Sequence, residues 1–568
     1  MEDIDAIRSI LKRIYGEEHA NIAFKKILAL IENFPFKQKT QGKNYFSQED
    51  VVLITYGDSL NKEGEVPLNT LCNFADKYFK GIFSTIHILP FFPFSSDDGF
   101  SVTDFYSVNP ELGSWGDIKK LGSNFKLMFD LVLNHISSKS SWFNQYLDEE
   151  KGYEHLCIEV DPSTDLSDVA RPRSLPLLTK FKKSSGKTVH VWTTFSSDQI
   201  DLNYKSPDVL EKMIKVLLFY VENGAKVIRL DAIAYLWKEI GTNCIHLSQA
   251  HDVVKLFRRV LDLVAPEVVI LTETNVPHKE NISYFGDGKD EAQMVYNFTL
   301  PPLLFYSFAI GDSKILSDWA KGLKLESSSN TFFNFTASHD GIGVRPLEGI
   351  LPDKEISRLV EIVRRNGGYI SFKNNPDGTE SPYEMNITYV DALINNEKKM
   401  GINRFLASQA IQFSLPGVPA AYIHSILGSR NWKEGVELTN RDRTINREKL
   451  QIEEVLSQLK NPGSFRSKIF SSYINLIKVR KKQQAFHPNA SFEVLDINPE
   501  IFAIVRYCNN QTIYSFTNIS SKHISLSLSG KGVPFEMKDL LTGEIFNTDL
   551  LLLSPYQYVW LNYRLSDN

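Results

Sequence analysis

The chain has 568 residues, of which 42% are hydrophobic and 23% charged, and a net charge of −5. That length calls for two or three domains, or one large domain with additions. With 63 basic against 68 acidic residues, a nucleic-acid binder that relies on an overall positive field is excluded.

Four cysteines, Cys72, Cys157, Cys244 and Cys508, lie far apart and form no CxxC pair. They suggest neither a disulfide framework nor a structural zinc site. The start, MEDIDAIRSI, is acidic and lacks the pattern of a signal peptide. No apolar run approaches the ~20 residues of a membrane helix. The expectation is a cytoplasmic protein with no membrane and no nucleic-acid partner. The sequence carries no marker of oligomeric state.

The first 48 residues read as a helical extension. Ile4, Ile7, Ile10, Leu11 and Ile14 follow helical spacing, and Ala23, Ile27, Leu28 and Ile31 repeat it, so a helix is expected over 4–33. The polar stretch FKQKTQGKNYFSQED separates it from the rest.

From residue 51 short strand-like runs recur. They are VVLITY (51–56), IFSTIHIL (82–89), KLMFDLVL (126–133), KVIRL (226–230), VVILTE (268–273), MVYNF (294–298), FFNFTA (332–337) and PAAYI (419–423). Amphipathic segments such as VLEKMIKVLLFYVENG lie between several of them. This alternation predicts an α/β fold, a (β/α)8 TIM barrel over 49–488.

Two connections are too long for simple barrel loops. An inserted subdomain is expected at about 136–200, after the third strand. A long loop is expected at about 341–400, after the seventh, and includes the turn-rich NNPDGTESP. From 489 to 568 the runs FEVLDI, IFAIVRY, TIYSFTN, ISLSLSG and YQYVWLNY predict a C-terminal antiparallel β domain.

In such a barrel, chemistry sits at the C-terminal ends of the strands. The first strand leads into Asp58, the second into Asp97 and Asp98, and the third into Asn134 and His135. The fourth carries Arg229 and Asp231, the fifth Glu273, and the seventh His339 and Asp340 in TASHDG. Any one acidic residue alone reads as the cap of the next helix, and a lone histidine as a satisfied core residue. Independent strands delivering the same chemistry to one rim point instead to cleavage of a glycosidic bond with retention. That reaction needs a carboxylate nucleophile and, ~5 Å away, a second carboxyl group that starts protonated. In VIRLDAIAYL (227–236) the two charges are costly inside a buried strand unless paired or working. Arg229 beside Asp231 would keep it ionised and aimed.

DLVLNH (130–135), IRLDAIAY (228–235), LTETN (271–275) and FTASHDG (335–341) resemble, in order, the four signature regions of the α-amylase superfamily of retaining glycosidases. ITYGDSL, IHILPFFPFSSDDGF, LGSWGDI, KEIGT, YNFTLPPLLFYSF, SHDGIGV and LPGVPAAY look like its sucrose-phosphorylase branch, over roughly 50–480. The resemblance implies that Asp231 is the nucleophile, Glu273 the general acid/base and Asp340 the transition-state stabiliser. It places His135, Arg229 and His339 at the glucosyl subsite, with Phe100 as an aromatic wall. Asp97 and Arg443 are the pair on the far hydroxyls of glucose. Arg173, in RPR, and Tyr383 are phosphate contacts. It implies no metal and no cofactor, with an α-glucoside and inorganic phosphate as the two small-molecule partners.

Several residues depart from the sucrose pattern. Ala170 stands where sucrose phosphorylases usually carry tyrosine, TNVPH follows the acid/base instead of VH, and Glu384 replaces a glutamine. Arg345, Pro346, Leu347 and Glu348 follow SHDGIGV. With ETNVPH these resemble glucosylglycerate phosphorylases more than sucrose phosphorylases. The expected activity is transfer of glucose from 2-O-α-glucosylglycerate to phosphate, giving α-glucose 1-phosphate. Arg345 is then the expected contact to the acceptor carboxylate, against the plainer reading of an ion pair with Glu348. The alternatives are a sucrose phosphorylase, an α-glucosidase or transglucosylase with the same carboxylates, and a non-catalytic binding protein derived from the barrel.

Overall fold

Eight apolar runs pair in parallel and close on themselves. They are β1 (Val52–Thr55), β2 (Thr85–Ile88), β3 (Lys126–Leu131), β4 (Ala225–Leu230), β5 (Val269–Thr272), β6 (Met294–Tyr296), β7 (Thr331–Asn334) and β8 (Val418–Tyr422). Each lies beside its neighbour in sequence, and β8 returns to β1. The computed structural model describes residues 2–35, 45–173, 175–325, 327–375, 379–394, 398–529 and 533–562. Each predicted run overlaps one observed strand. The runs were readable because parallel strands covered by helices are buried on both faces and so lose the polar alternation of an open sheet. Val52–Thr55, for example, is buried throughout.

The barrel interior is not wholly apolar. Asp130 on β3 and Arg229 on β4 are register partners. Both are buried, as is His87 on β2. This charged layer lies directly below the rim.

The long connection after β3 holds helix Ser141–Leu147 and the hairpin Leu178–Lys182/Thr188–Trp192. A two-stranded ladder, His135–Ser137 with Gln199–Asp201, ties it back to the barrel. The insertion has a small core of its own, with Val160, Leu166, Val169, Leu177 and Trp192. Lys238, just past β4, fastens the two parts. Its ammonium meets Asn134 Oδ1 at 2.7 Å and Asp201 Oδ2 at 2.5 Å. Burial lowers its affinity for the proton, and the Asp201 carboxylate opposes that.

After β7, strands Ile342–Gly343, Tyr369–Asn374 and Glu380–Asn386 form a three-stranded antiparallel sheet beside helix Asp353–Arg365. Of the turn-rich NNPDGTESP piece, residues 376–378 lie outside the described residues. The C-terminal part is a six-stranded antiparallel sheet with a separate two-stranded pair.

The expected N-terminal helix is observed over Glu2–Glu32, but it is broken at Gly16, whose φ is 71°. That backbone conformation suits glycine, and it turns one expected helix into two. Both halves bury their apolar faces, Ile7, Ile10, Leu11 and Ile14 in one, and Ala23, Ile27 and Ile31 in the other. They pack on helices Pro207–Glu222 and Ser248–Val264, which precede β4 and β5. Arg13 reaches Asp252 with an Nε–Oδ1 distance of 3.1 Å. The separating stretch 36–44 lies outside the described residues. Among the described residues no helix is long and apolar enough to cross a membrane.

Candidate active site

At the C-terminal rim one cavity, about 620 Å³ including its open mouth, is lined by residues from the second, third, fourth, fifth and seventh strand exits that the sequence singled out. Asp231 follows the last residue of β4. Its carboxylate Oδ1 accepts from Arg229 Nη1 at 2.8 Å, and the same Nη1 also donates to Asp130. Arg229 Nη2 stands 4.0 Å from Glu273 Oε2. One buried guanidinium is therefore shared among three carboxyl groups.

Ala232 takes a left-handed backbone conformation, with φ 51°. A side chain rarely adopts it without a reason. Here it turns the Ala232 N–H onto Glu273 Oε2, at 2.9 Å. The turn that presents Asp231 thus also holds Glu273. Burial raises both carboxyls, with the Arg229 charge opposing. Two carboxyls so placed favour taking up one proton between them. Asp231 has the direct ion pair, which favours leaving the shared proton on Glu273.

Asp340 stays ionised. Burial alone would raise it, but the Arg443, Arg447 and Arg229 guanidiniums hold it well below the usual carboxylate range. Arg443 Nη1 meets Asp340 Oδ1 at 2.9 Å. His339 is pushed down to about 3, by burial first, with Asp340 opposing, so its imidazole is neutral. It stacks on Phe100 with ring centroids 4.7 Å apart and planes 7° from parallel. Together they make a flat wall of the kind a sugar ring packs on.

His135 is buried and its affinity for a proton is lowered, by burial first. Asn134 Nδ2 lies 3.2 Å from its Nδ1, which leaves Nε2 to donate to the Phe100 carbonyl at 2.9 Å.

Asp97 and Asp98 are successive left-handed residues, bent so that their carboxylates diverge. Asp97 lines the cavity, while Asp98 pairs with Arg447. Asp58, at the first strand, pairs with Lys449 and does not line the cavity. Burial would raise Asp97, but Arg173, Arg443 and Arg447 hold it far below the usual range.

Asp97 and Arg443 share the cavity without a direct hydrogen bond between them. Asp97 Oδ2 accepts from Arg173 Nη2 and Gln199 Nε2, both at 3.3 Å. Arg443 is gripped by Glu384 through two bonds, Nε–Oε2 at 2.8 Å and Nη2–Oε1 at 3.0 Å. Glu384 Oε1 also accepts the Gly341 N–H at 3.1 Å.

Arg173 and Tyr383 both line the cavity. Arg173 lies over the Phe195 ring, 5.7 Å from its centroid. Arg345 does not line it. Its guanidinium stands in the wall behind, within electrostatic reach of Tyr235 and Tyr383. Its Nε is 3.9 Å from Glu348, too long for a hydrogen bond. Glu348 accepts instead from Lys373 at 3.1 Å.

The sequence reading missed Phe195, Gln199, Asn275 and Phe298, which line the cavity. It also missed the layer of Asp130 and His87 beneath. Phe298 closes the predicted run MVYNF, and Asp130 opens DLVLNH, so both could have been singled out by position. Phe195 and Gln199 come from the irregular insertion, which carries no periodic signal.

The alpha-amylase catalytic-domain model matches residues 77–341. Glucosylglycerate phosphorylase of Spirochaeta thermophila is 48% identical over 532 residues, 92% of this chain and 90% of that one. Its counterpart in Escherichia coli is 45% identical over 561 residues, 98% of this chain and 99% of that one. Among solved structures, sucrose 6F-phosphate phosphorylase from Thermoanaerobacter thermosaccharolyticum superimposes with a TM-score of 0.73 at 28% identity. It covers 84% of this chain and 95% of that one.

Proposed function

The chain belongs to the α-amylase family, among relatives that are glucosylglycerate phosphorylases, and from that premise we propose that it is a retaining α-glucoside phosphorylase acting on 2-O-α-glucosylglycerate. The observation that carries this reading is the Arg229 guanidinium, which touches Asp231 at 2.8 Å and stands 4.0 Å from Glu273. It supports an ionised nucleophile beside a protonated acid, the pair that retention requires.

In the first step Asp231 attacks the anomeric carbon and the glycosidic C–O bond breaks. Glu273 gives its proton to the departing glycerate oxygen. In the second step a phosphate oxygen attacks the glucosyl-enzyme, Glu273 takes back a proton, and Asp231 leaves as carboxylate. The product is α-glucose 1-phosphate. Asp340 is the anion that faces the positive charge developing on the sugar. His135, His339, Phe100, Asp97 and Arg443 bind the glucosyl unit.

Arg173 and Tyr383 receive phosphate, since a guanidinium fork matches its oxygens. Arg345, which stands behind Tyr235 and Tyr383, is assigned to the acceptor carboxylate and has to swing toward the cavity to meet it. Its long separation from Glu348, which bonds Lys373 instead, supports that role over a plain ion pair. The working compartment is the cytoplasm, in keeping with four free cysteines.

Incubating the purified chain with 2-O-α-glucosylglycerate and inorganic phosphate tests the reading. Release of α-glucose 1-phosphate and glycerate in equal amounts is expected. Release of free glucose at a rate independent of phosphate would put a glucosidase in its place.

A further inference from the structure

Below the rim, Arg229 does not belong to Asp231 alone. Its Nη1 donates both to Asp231, at 2.8 Å, and to Asp130. The second oxygen of Asp130 meets His87 Nε2 at 2.6 Å. His87, Asp130 and Arg229 come from three adjacent strands, β2, β3 and β4. Relative exposure is 0% for His87 and Asp130 and 2% for Arg229. A buried carboxylate with no second partner would draw fully on the guanidinium it touches. Asp130 has a second partner, and that partner is His87.

We propose that His87 is a positioning residue for the nucleophile: by hydrogen-bonding Asp130 it governs how the Arg229 guanidinium is divided between Asp130 and Asp231. It touches no substrate and acts through two intermediates. The charged and titratable groups facing this line are Asp231, Glu273 and Asp340 at the rim, His339 beyond β7, Tyr296 on β6, and Tyr220 of helix Pro207–Glu222. None of these bonds the Asp130 carboxylate, so His87 and Arg229 are its two hydrogen-bonded partners among the described residues.

The inference rests on the proposed role of Asp231, and the opposite effects of two substitutions test it. Replacing His87 with leucine leaves Asp130 to draw more heavily on Arg229. Less positive charge then supports Asp231, and the nucleophile ionises at higher pH. Replacing Asp130 with asparagine removes the competitor, so Arg229 serves Asp231 alone and the nucleophile ionises at lower pH. A residue that merely fills space would give no such opposition of sign.

The measurement is the acid limb of kcat/KM against pH, with α-glucosyl fluoride and phosphate as substrates. Fluoride leaves without a proton, so the limb reports the nucleophile. His87→Leu is expected to move the limb up by about one pH unit, and Asp130→Asn to move it down by a similar amount. His87→Gln, which keeps a donor for Asp130, is expected to stay near the parent. Limbs unchanged in the folded variants, or shifted in the same direction by both, would overturn the inference. Should His87→Leu fail to fold, His87→Phe, which keeps the ring's bulk without a donor, takes its place, with the same upward shift expected and an unmoved limb overturning the inference. A parent enzyme that makes no glucose 1-phosphate from the fluoride would instead overturn the proposed function itself.

Discussion

Arg229 Nη1 and Asp231 Oδ1 are 2.8 Å apart in a site where both residues are buried. A carboxylate so paired is kept anionic, and in the proposed mechanism Asp231 is the nucleophile on which turnover depends. Asp231→Asn keeps the shape and removes the charge. Its kcat should fall by roughly four orders of magnitude or more, as for other covalent nucleophiles. Steady-state release of glucose 1-phosphate measures this. A variant that keeps a tenth of parental turnover would remove Asp231 from the role.

Glu273 accepts the Ala232 N–H at 2.9 Å and stands farther from Arg229 than Asp231 does. In the proposed mechanism it is the member of the pair that carries the proton. Glu273→Gln should therefore harm natural glucosides far more than α-glucosyl fluoride, whose leaving group needs no acid. The ratio of kcat/KM for the two substrates should move by about 10²-fold or more. Equal losses on both would show that Glu273 does something other than protonate the leaving group.

Arg173 meets Asp97 at 3.3 Å, lies over Phe195 and lines the cavity, and in the proposed mechanism it binds phosphate. Arg173→Ala should raise the KM for phosphate by about 10- to 100-fold, the range for hydrogen bonds to charged groups. Slow phosphate-independent release of glucose should persist, because the glucosyl-enzyme still forms. If KM for phosphate does not move, the phosphate site lies elsewhere.

His424 gives a prediction about stability and pH. It is buried away from the cavity, its Nε2 has no hydrogen-bond partner, and burial pushes its imidazole down to about 3. In the unfolded chain it titrates near the ordinary histidine value of about 6.5. Between those values the unfolded state binds a proton that the folded state does not. Stability from the neutral ring is thus present above about pH 6.5 and is lost as pH falls, by about 1.4 kcal/mol between pH 7.5 and 5.5. His424→Gln removes this dependence. Whatever its penalty at pH 7.5, the difference in melting temperature from the parent should shrink at pH 5.5. A penalty that grows on acidification would contradict a buried neutral ring.

The barrel strands were legible because each is a short, continuous apolar run with a polar residue at its exit. Leu230 leading to Asp231 and Thr272 leading to Glu273 show the pattern. The break at Gly16 was hidden, because both helical halves face the same surface and the apolar spacing resumes beyond it. The grip of Glu384 on Arg443 could not be read from spacing. The two residues are 59 positions apart on elements with no shared pattern. His87 was masked in another way, since a single histidine inside IFSTIHIL reads as a core residue. Strands Glu536–Asp539 and Ile545–Asn547 escaped because they are short. The first, EMKD, also lacks a β-rich composition.

The claim that matters most is that the enzyme recognises an anionic acceptor, and synthesis from α-glucose 1-phosphate tests it most directly. The chain is given α-glucose 1-phosphate with equal concentrations of glycerate and fructose, and the two glucosides are quantified at low conversion. Glucosylglycerate should dominate for the parent. Arg345→Ala should cut that preference by about 10- to 100-fold, the loss expected for one charge-assisted contact, while sparing the fructose rate. A parent that glucosylates fructose preferentially, or a variant in which both rates fall alike, would contradict recognition of the acceptor carboxylate by Arg345.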